Sequence, residues 1–395
     1  MIKIKDGVYW VGSNDKDVRT IDVIIHVENG TSYNSYIVKG HDKIALIDTV
    51  KEPFVDQFIK NIEEIAALED IDYVIVNHTE LDHSGGLKKI LERSDAEVVA
   101  SKSASPFIKQ ILPDIVPIFV GEGDILSLGD KTLEFIHAPF LHWPDTMFTY
   151  LKEDHILFSC DFLGSHFCNE NIFNDESMDF SYSFQHYYNS IMRPFKQHII
   201  KAIDKIEKKQ IDIVAPSHGP ILRNDPYSYI KKYKEWSLPR RKELKKAVIF
   251  YASAYGGTEK IAKNIGNALK DNGTKVEIFD LQGIEINDNI VSIVEECDAL
   301  IIGSSTINGD ALKPVWNLLS SLTTIDVKNK LGFAFGTYAW SGEAPRLIEN
   351  RMKDLKMFVP EPYYRVHMVP DKEDLKKSYE IGVILSNHIN KQSPT

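Results

Sequence analysis

Cysteine is scarce: the 395 residues hold three, Cys160, Cys168 and Cys297, an odd number with no Cys-x-x-Cys pair. That argues against a disulfide framework and against a cluster of thiolate metal ligands. Cys160 ends an apolar run and is expected as a small core residue. No segment approaches the roughly 20 apolar residues of a membrane span. The opening Met1-Ile2-Lys3-Ile4-Lys5-Asp6 lacks the apolar core of a signal peptide. No membrane association and a cytoplasmic location are therefore expected. Positive charge is also in deficit, 46 Lys and Arg against 57 Asp and Glu, for a formal charge of -11. Polyanionic partners, nucleic acid above all, are disfavoured.

What remains is ordinary globular composition, 43% hydrophobic and 26% charged, in a chain longer than one core comfortably serves. Two domains are expected, residues 1–240 and 245–395. The boundary falls near Trp236-Ser237-Leu238-Pro239-Arg240-Arg241-Lys242-Glu243, a proline followed by a charge cluster. Of 13 histidines only His367 and His388 lie beyond it, so imidazole is concentrated in the first part.

There the β-branched run Tyr73-Val74-Ile75-Val76 leads into His78-Thr79-Glu80-Leu81-Asp82-His83 and Ser84-Gly85-Gly86. An apolar run ending in a polar loop reads as a buried strand delivering side chains at its carboxyl end. A single His-x-Glu is more often a solvated turn, but three further segments repeat the grammar. They are Leu133–Asp145 with His137 and His142, Ile156–Asp161 with Asp161, and Ile211–Gly219 with His218. Four potential ligands within six residues suggest a metal site holding more than one ion.

Together these segments resemble the metallo-β-lactamase superfamily, whose order is HxHxDH, then His, Asp and His at strand ends of an αββα sandwich. Glu80 stands where the zinc hydrolases carry His. The set His78, Glu80, Asp82, His83, His142, Asp161 and His218 offers nitrogen and oxygen without thiolate, which suits iron. HxExDH with Leu141-His142-Trp143-Pro144-Asp145, Ser159-Cys160-Asp161 and Pro216-Ser217-His218-Gly219 looks like the flavodiiron family. The resemblance implies one iron on His78, Glu80 and His142 and the other on Asp82, His83 and His218, with Asp161 bridging; the family tolerates a water in place of His83. His137 is expected as a packed strand residue.

The second part tests this independently. The strand-like Lys246-Ala247-Val248-Ile249-Phe250-Tyr251 is followed by Ala252-Ser253-Ala254-Tyr255-Gly256-Gly257-Thr258-Glu259 and a helical pattern from Lys260 to Leu269. Free amides at a helix start, with Ser and Thr hydroxyls, make an anion site. No Lys completes it as in a P-loop, so one phosphate fits better than a triphosphate. The loop resembles the flavodoxin phosphate loop that grips FMN, with Thr258 expected to donate to the phosphate. Two later loops, Ser304-Ser305-Thr306-Ile307-Asn308-Gly309-Asp310 and Thr337-Tyr338-Ala339-Trp340-Ser341-Gly342-Glu343-Ala344, are expected at the same edge of a doubly wound parallel sheet, where a flavin ring could lie.

The resemblance implies reduction of dioxygen to water, of nitric oxide to nitrous oxide, or both. Iron and flavin hydroquinone between them hold the four electrons that dioxygen needs. The alternatives are a metal-dependent hydrolase with an appended flavodoxin domain, or a flavin electron carrier. Three cysteines cannot build a rubredoxin, so electrons are expected from a separate donor, such as rubredoxin, a reductase or a reduced deazaflavin. The run from Lys201 to Lys209 could dock an acidic redox protein, although such a run is more often a solvated helix face. Tyr187, Tyr188 and His26 are candidate proton donors or gates, with a buried core place as the plainer expectation for each. The family also implies a head-to-tail homodimer or a dimer of such dimers.

Overall fold

Strands as short and as continuously apolar as Ile44-Ala45-Leu46-Ile47 have no polar face to give to water, so each must be covered on both sides. A computed structural model, which describes residues 1–176, 178–238 and 245–391, shows how this is done. Seven strands form one sheet in chain order: β1 (Ile2–Lys5), β2 (Val8–Trp10), β3 (Tyr36–Lys39), β4 (Ile44–Ile47), β5 (Tyr73–Val76), β6 (Glu97–Ser101) and β7 (Ile118–Val120). Neighbours are antiparallel from β1 to β4 and parallel from β4 to β7. A second sheet holds β8 (Ile125–Ser127), β9 (Thr132–His137), β10 (Met147–Leu151), β11 (Ile156–Cys160) and β12 (Ile213–Pro216), the last pair parallel.

Side chains alternate between the two faces of each strand. Tyr36, Val38, Ala45, Ile47 and Ile75 meet Phe135, Met147, Leu151, Phe158 and Ala215 between the sheets. Ile37, Leu46, Val74 and Val76 point outward, under Val55, Phe58, Ile59 and Ile62 of the helix Val55–Glu63. Beyond the second sheet, Ile136, Phe148, Leu157 and Val214 are covered by the helices Ser181–Tyr187, Lys196–Ile206 and Pro226–Ser237. The layers are the αββα sandwich that the sequence led us to expect.

The second part contains β13 (Lys246–Ala252), β14 (Lys275–Asp280), β15 (Ala299–Ile307), β16 (Leu331–Tyr338) and β17 (Tyr364–His367), all parallel in the order β14-β13-β15-β16-β17. This is the flavodoxin-like doubly wound order, with its switch point between β13 and β15. Ile261, Ile265 and Leu269 of the helix Gly257–Asp271 and Leu385 and Ile389 of Lys372–Lys391 cover one face. Val294, Val315, Leu318, Ile348 and Met352 cover the other. The chain divides into two compact units, Met1–Pro239 and Arg240–Thr395. Residues 239–243, the proline and charge cluster on which the sequence places the boundary, lie outside the described residues.

Three expectations change. Ser304–Asp310 is not an open loop: β15 runs to Ile307, turns at Asn308 (φ 54°) and Gly309 (φ 72°), and returns so that Asp310 pairs with Ile307. Two positive φ angles at an Asn-Gly pair match the strand twist, which makes a tight hairpin. His26 is not buried; it sits exposed on the small hairpin Thr20–Ile21 with Ile25–His26. Of the run Lys201 to Lys209, Lys205 donates to Glu122 and Lys209 to Glu134, so part of that charge is satisfied within the chain.

Candidate metal centre and flavin site

The carboxyl ends of β5, β11 and β12 and the β9–β10 connection bring all seven sequence-predicted ligands together. His78 Nε2 and His142 Nε2 each lie 3.1 Å from Glu80 Oε2, and 3.7 and 3.9 Å from Asp161 Oδ2. On the other side, His218 Nε2 is 3.2 Å from Asp82 Oδ2, while His83 Nε2 and His218 Nε2 are each 3.3 Å from Asp161 Oδ1. The two oxygens of Asp161 thus face different ligand sets. Within each of the groups His78, Glu80, His142, Asp161 and Asp82, His83, His218, one donor atom per residue lies within 4.8 Å of the others.

The carboxylates favour the cationic forms of His78, His83 and His218. Burial would lower the His83 pKa, but the charges of Asp82 and Asp161 outweigh it and raise it to about 10. His218 also rises to about 10, burial being overcome by hydrogen bonds to Asp161 and Asp82. His78 rises to about 9 against its burial, through Asp145 and Glu80. Burial would raise Glu80, yet hydrogen bonds from His142 and His78 bring it down to about 2. Asp161, fully buried, is held well below the usual carboxylate range by His83 and His218 despite the desolvation. Asp82 Oδ1 and His83 Nε2 are buried 3.3 Å apart, and neither makes a hydrogen bond. Buried donor atoms left without hydrogen bonds, among three carboxylates and four imidazoles, fit two divalent cations.

A supporting layer aims these groups. Asp145 takes His78 Nδ1 at 3.3 Å and the Thr79 amide and hydroxyl at 2.8 and 2.7 Å. Ser32 O accepts His218 Nδ1 at 2.7 Å. Both contacts leave Nε2 facing the centre, as a ligating imidazole requires. Asp48, which burial raises to about 6, accepts the Asn77 amide and side chain and so sets the start of the ligand loop. Tyr187 OH donates to Asp161 Oδ1 at 3.0 Å. His166, kept neutral by burial with a pKa near 3, packs against Tyr187 and His218.

Tyr188 is not at the centre. Its hydroxyl pairs with Ser237 Oγ at 3.0 Å, among Tyr233 and Trp236. His137 also stays apart, with Nε2 on Val120 O at 3.0 Å. Cys160 is buried as expected, but its Sγ lies 3.7 Å from Asp161 Oδ2. Asp145, Asp48 and His166 were not singled out by sequence reasoning. Only Asp145 carried a signal, as the last residue of Leu141–Asp145.

In the second unit the three predicted loops meet. Ser305 Oγ accepts the Ala254 amide at 3.1 Å, and Thr258 Oγ1 contacts Thr337 Oγ1 at 2.8 Å and Ser305 Oγ at 3.3 Å. The buried Thr258 hydroxyl therefore ties the loops to one another, whereas Ser253 Oγ is buried with no partner. The helix Gly257–Asp271 starts after Gly256 (φ 78°) without a side-chain cap, which leaves its first amides for an anion. Thr306 Oγ1 accepts the Ala344 amide at 3.3 Å, and Ala339 O contacts His367 Nε2 at 2.7 Å. Gly342 is required, because a Cβ there would come within 2.8 Å of the Tyr338 ring. Tyr255 and Trp340 are 100% and 81% exposed and do not pack on a neighbouring helix, and Ile307 is half exposed. An uncapped helix start, an unpartnered hydroxyl and open aromatic faces fit a flavin mononucleotide.

Residues 31–219 match the ODP family beta lactamase model and residues 249–382 the flavodoxin model. A flavo-diiron protein of Clostridium acetobutylicum is 39% identical, with 96% of this chain and 98% of the relative covered. A nitric oxide reductase of Moorella thermoacetica is also 39% identical, with 96% and 97% covered. Among solved structures, rubredoxin oxygen:oxidoreductase from Desulfovibrio gigas superposes with a TM-score of 0.74 at 28% identity, covering 98% of both chains. Likeness along nearly the whole length, through both units, means that this chain belongs to the flavodiiron protein family.

Proposed function

We propose that this protein is an oxidoreductase that reduces dioxygen to water, nitric oxide to nitrous oxide, or both, with two non-haem irons and FMN. The observation that carries the reading is Asp161, whose two oxygens face two ligand sets in a chain that also carries a flavodoxin unit. When bound, iron and FMN together supply four electrons for dioxygen, or two to join two nitric oxides. In the proposed ligation His78, Glu80 and His142 hold one iron, Asp82, His83 and His218 the other, and Asp161 bridges. Domains of 1–240 for iron and 245–395 for FMN follow.

The chain's own groups set the conditions for that chemistry. Asp145 and Ser32 O take the Nδ1 protons of His78 and His218, which keeps their Nε2 lone pairs inward. Tyr187 anchors the bridging carboxylate and leaves Asp161 less free to swing. His78, His83 and Asp161 are sealed from water, while Glu80, Asp82 and His142 keep about a fifth of their side-chain surface open, so a diatomic would enter on that side.

Electrons need a route from flavin to iron. Around the iron ligands Leu81, Val23 and Ile24 are exposed, and the charges of Glu80 and Asp82 act on Asp22 next to Val23. Around the flavin loops Tyr255 and Trp340 are exposed. We read the two sets as the halves of a head-to-tail homodimer contact, or of a dimer of such dimers. A separate donor such as rubredoxin, a reductase or a reduced deazaflavin would refill the flavin. No helix among the described residues is long and apolar enough to cross a membrane, and we place the protein in the cytoplasm. The test is anaerobic: purified protein should contain about two irons per FMN, and its reduced form should consume either gas. Protein with zinc in place of iron, and no flavin, would refute the reading.

A further inference from the structure

Tyr33 is 2% exposed, and its hydroxyl has no hydrogen-bond partner. A buried phenol with nothing to donate to is a cost to folding. It ends the short strand Thr31–Tyr33, and both of its neighbours are locked onto the loop that carries His218. Ser32 O accepts His218 Nδ1 at 2.7 Å and Ser32 Oγ accepts the Gly219 amide at 2.8 Å, while the Asn34 amide donates to Ser217 O at 2.8 Å. With 32 and 34 fixed in this way, Tyr33 is held against His218. Its ring meets that imidazole edge-on, centroids 5.9 Å apart, with Phe54 at 5.2 Å and Lys51 Nζ 5.9 Å from the ring centre. An ordinary phenol, with a pKa of about 10, is protonated at neutral pH, so it acts as a donor and not as an anion. Tyr187, the other tyrosine at the centre, already donates to Asp161.

We propose that the Tyr33 hydroxyl is a hydrogen-bond donor reserved for a small acceptor held beside His218: the diatomic substrate, its oxygen-bearing product, or a small anion in their place. This rests on the reading of His218 as an iron ligand. Tyr33 has no part in holding the metal; it orients what arrives there. A donor of this kind is left unpaired in the resting protein at some cost in stability, a common trade at functional sites.

Tyr33→Phe removes one oxygen and no protein contact. Azide, a small anion that accepts hydrogen bonds, serves as the probe of the oxidised, iron-loaded protein. Parent and variant should carry equal iron and FMN, and the variant should bind azide about tenfold more weakly, with a shifted azide stretching frequency, for the loss of one hydrogen bond to a charged acceptor. In thermal melts the metal-free variant should be at least as stable as the metal-free parent. Equal azide affinity and an unshifted stretch in an iron-replete variant overturn the inference and leave the ligand assignment standing. A parent that takes up no iron overturns both. A metal-free variant that melts lower, or fails to fold, shows that the hydroxyl serves the protein itself, and overturns the inference as well.

Discussion

Among single side chains Asp161 is the one that both ligand sets share, since its Oδ2 faces His78 and His142 and its Oδ1 faces His83 and His218. Asp161→Ala should therefore lose iron and turnover together and keep the flavin spectrum, which iron assay and visible absorbance will separate. Two retained irons with full activity would contradict the bridge. Asp145→Ala should weaken iron binding about 10-fold to 100-fold without removing any ligand, because supporting partners of ligating histidines carry effects of that size. Protons report on the same groups. His83 and His218 rise from the ordinary 6.5 to about 10 in the metal-free protein. The stability they contribute is complete below pH 6.5 and is lost as pH rises through 10. Asp48, raised to about 6, acts below that window and does not confuse it. Denaturant unfolding of metal-free protein should become easier between those pH values, and metal, by displacing the protons, should abolish the trend. Four of the seven ligands stood out because they sit within six residues, and the resemblance to the flavodiiron family picked out the rest, His142 over His137 among them. Asp48, Asp145 and His166 were not legible, because their meaning lies in partners far along the chain: Asp145 serves Thr79 across 66 residues.

At the scale of elements, strand ends do the positioning and turns decide what is left over. Thr258, read from sequence as the phosphate donor, meets Ser305 and Thr337 with its hydroxyl, while the Ser253 hydroxyl is buried without a partner. Ser253→Ala should weaken FMN by about one to two decades, as for a lost charge-assisted hydrogen bond of roughly 1.5–3 kcal/mol. Iron content should not change. Fluorescence titration with FMN checks this, and unaltered affinity would take Ser253 out of the phosphate site. Individual buried strands were readable at this scale from apolar runs ending in polar loops, while the αββα layering was implied by the resemblance to the metallo-β-lactamase superfamily. Two details were not readable. Ser304–Asp310 read as a loop because small polar residues obscured a strand that continues into an Asn-Gly hairpin. Tyr187 and Tyr188 looked equivalent in sequence, but adjacent positions on a helix point about 100° apart. One reaches Asp161 and the other Ser237.

For the molecule as a whole the question is how flavin electrons reach iron. A two-fold dimer repeats one contact twice, so a head-to-tail arrangement would pair each flavin unit with the partner's metal unit. The exposed apolar groups at the two sites, Val23, Ile24 and Leu81 on one and Tyr255 and Trp340 on the other, are what such a contact would cover. Subunit mixing tests it directly. Asp161→Ala should give a subunit with FMN and no working iron site. Ser253→Glu, which sets a carboxylate where the phosphate belongs, should give one with iron and no FMN. Each homodimer should be inactive. A mixed dimer keeps one intact FMN from the first subunit and one intact iron pair from the second, and in a head-to-tail contact these two meet. Mixed dimers purified through two different tags should then recover about half of the parental activity per dimer, because one of two equivalent contacts is complete. If they stay inactive while both cofactors are verified, electrons pass within a single chain and the cross-subunit arrangement is wrong.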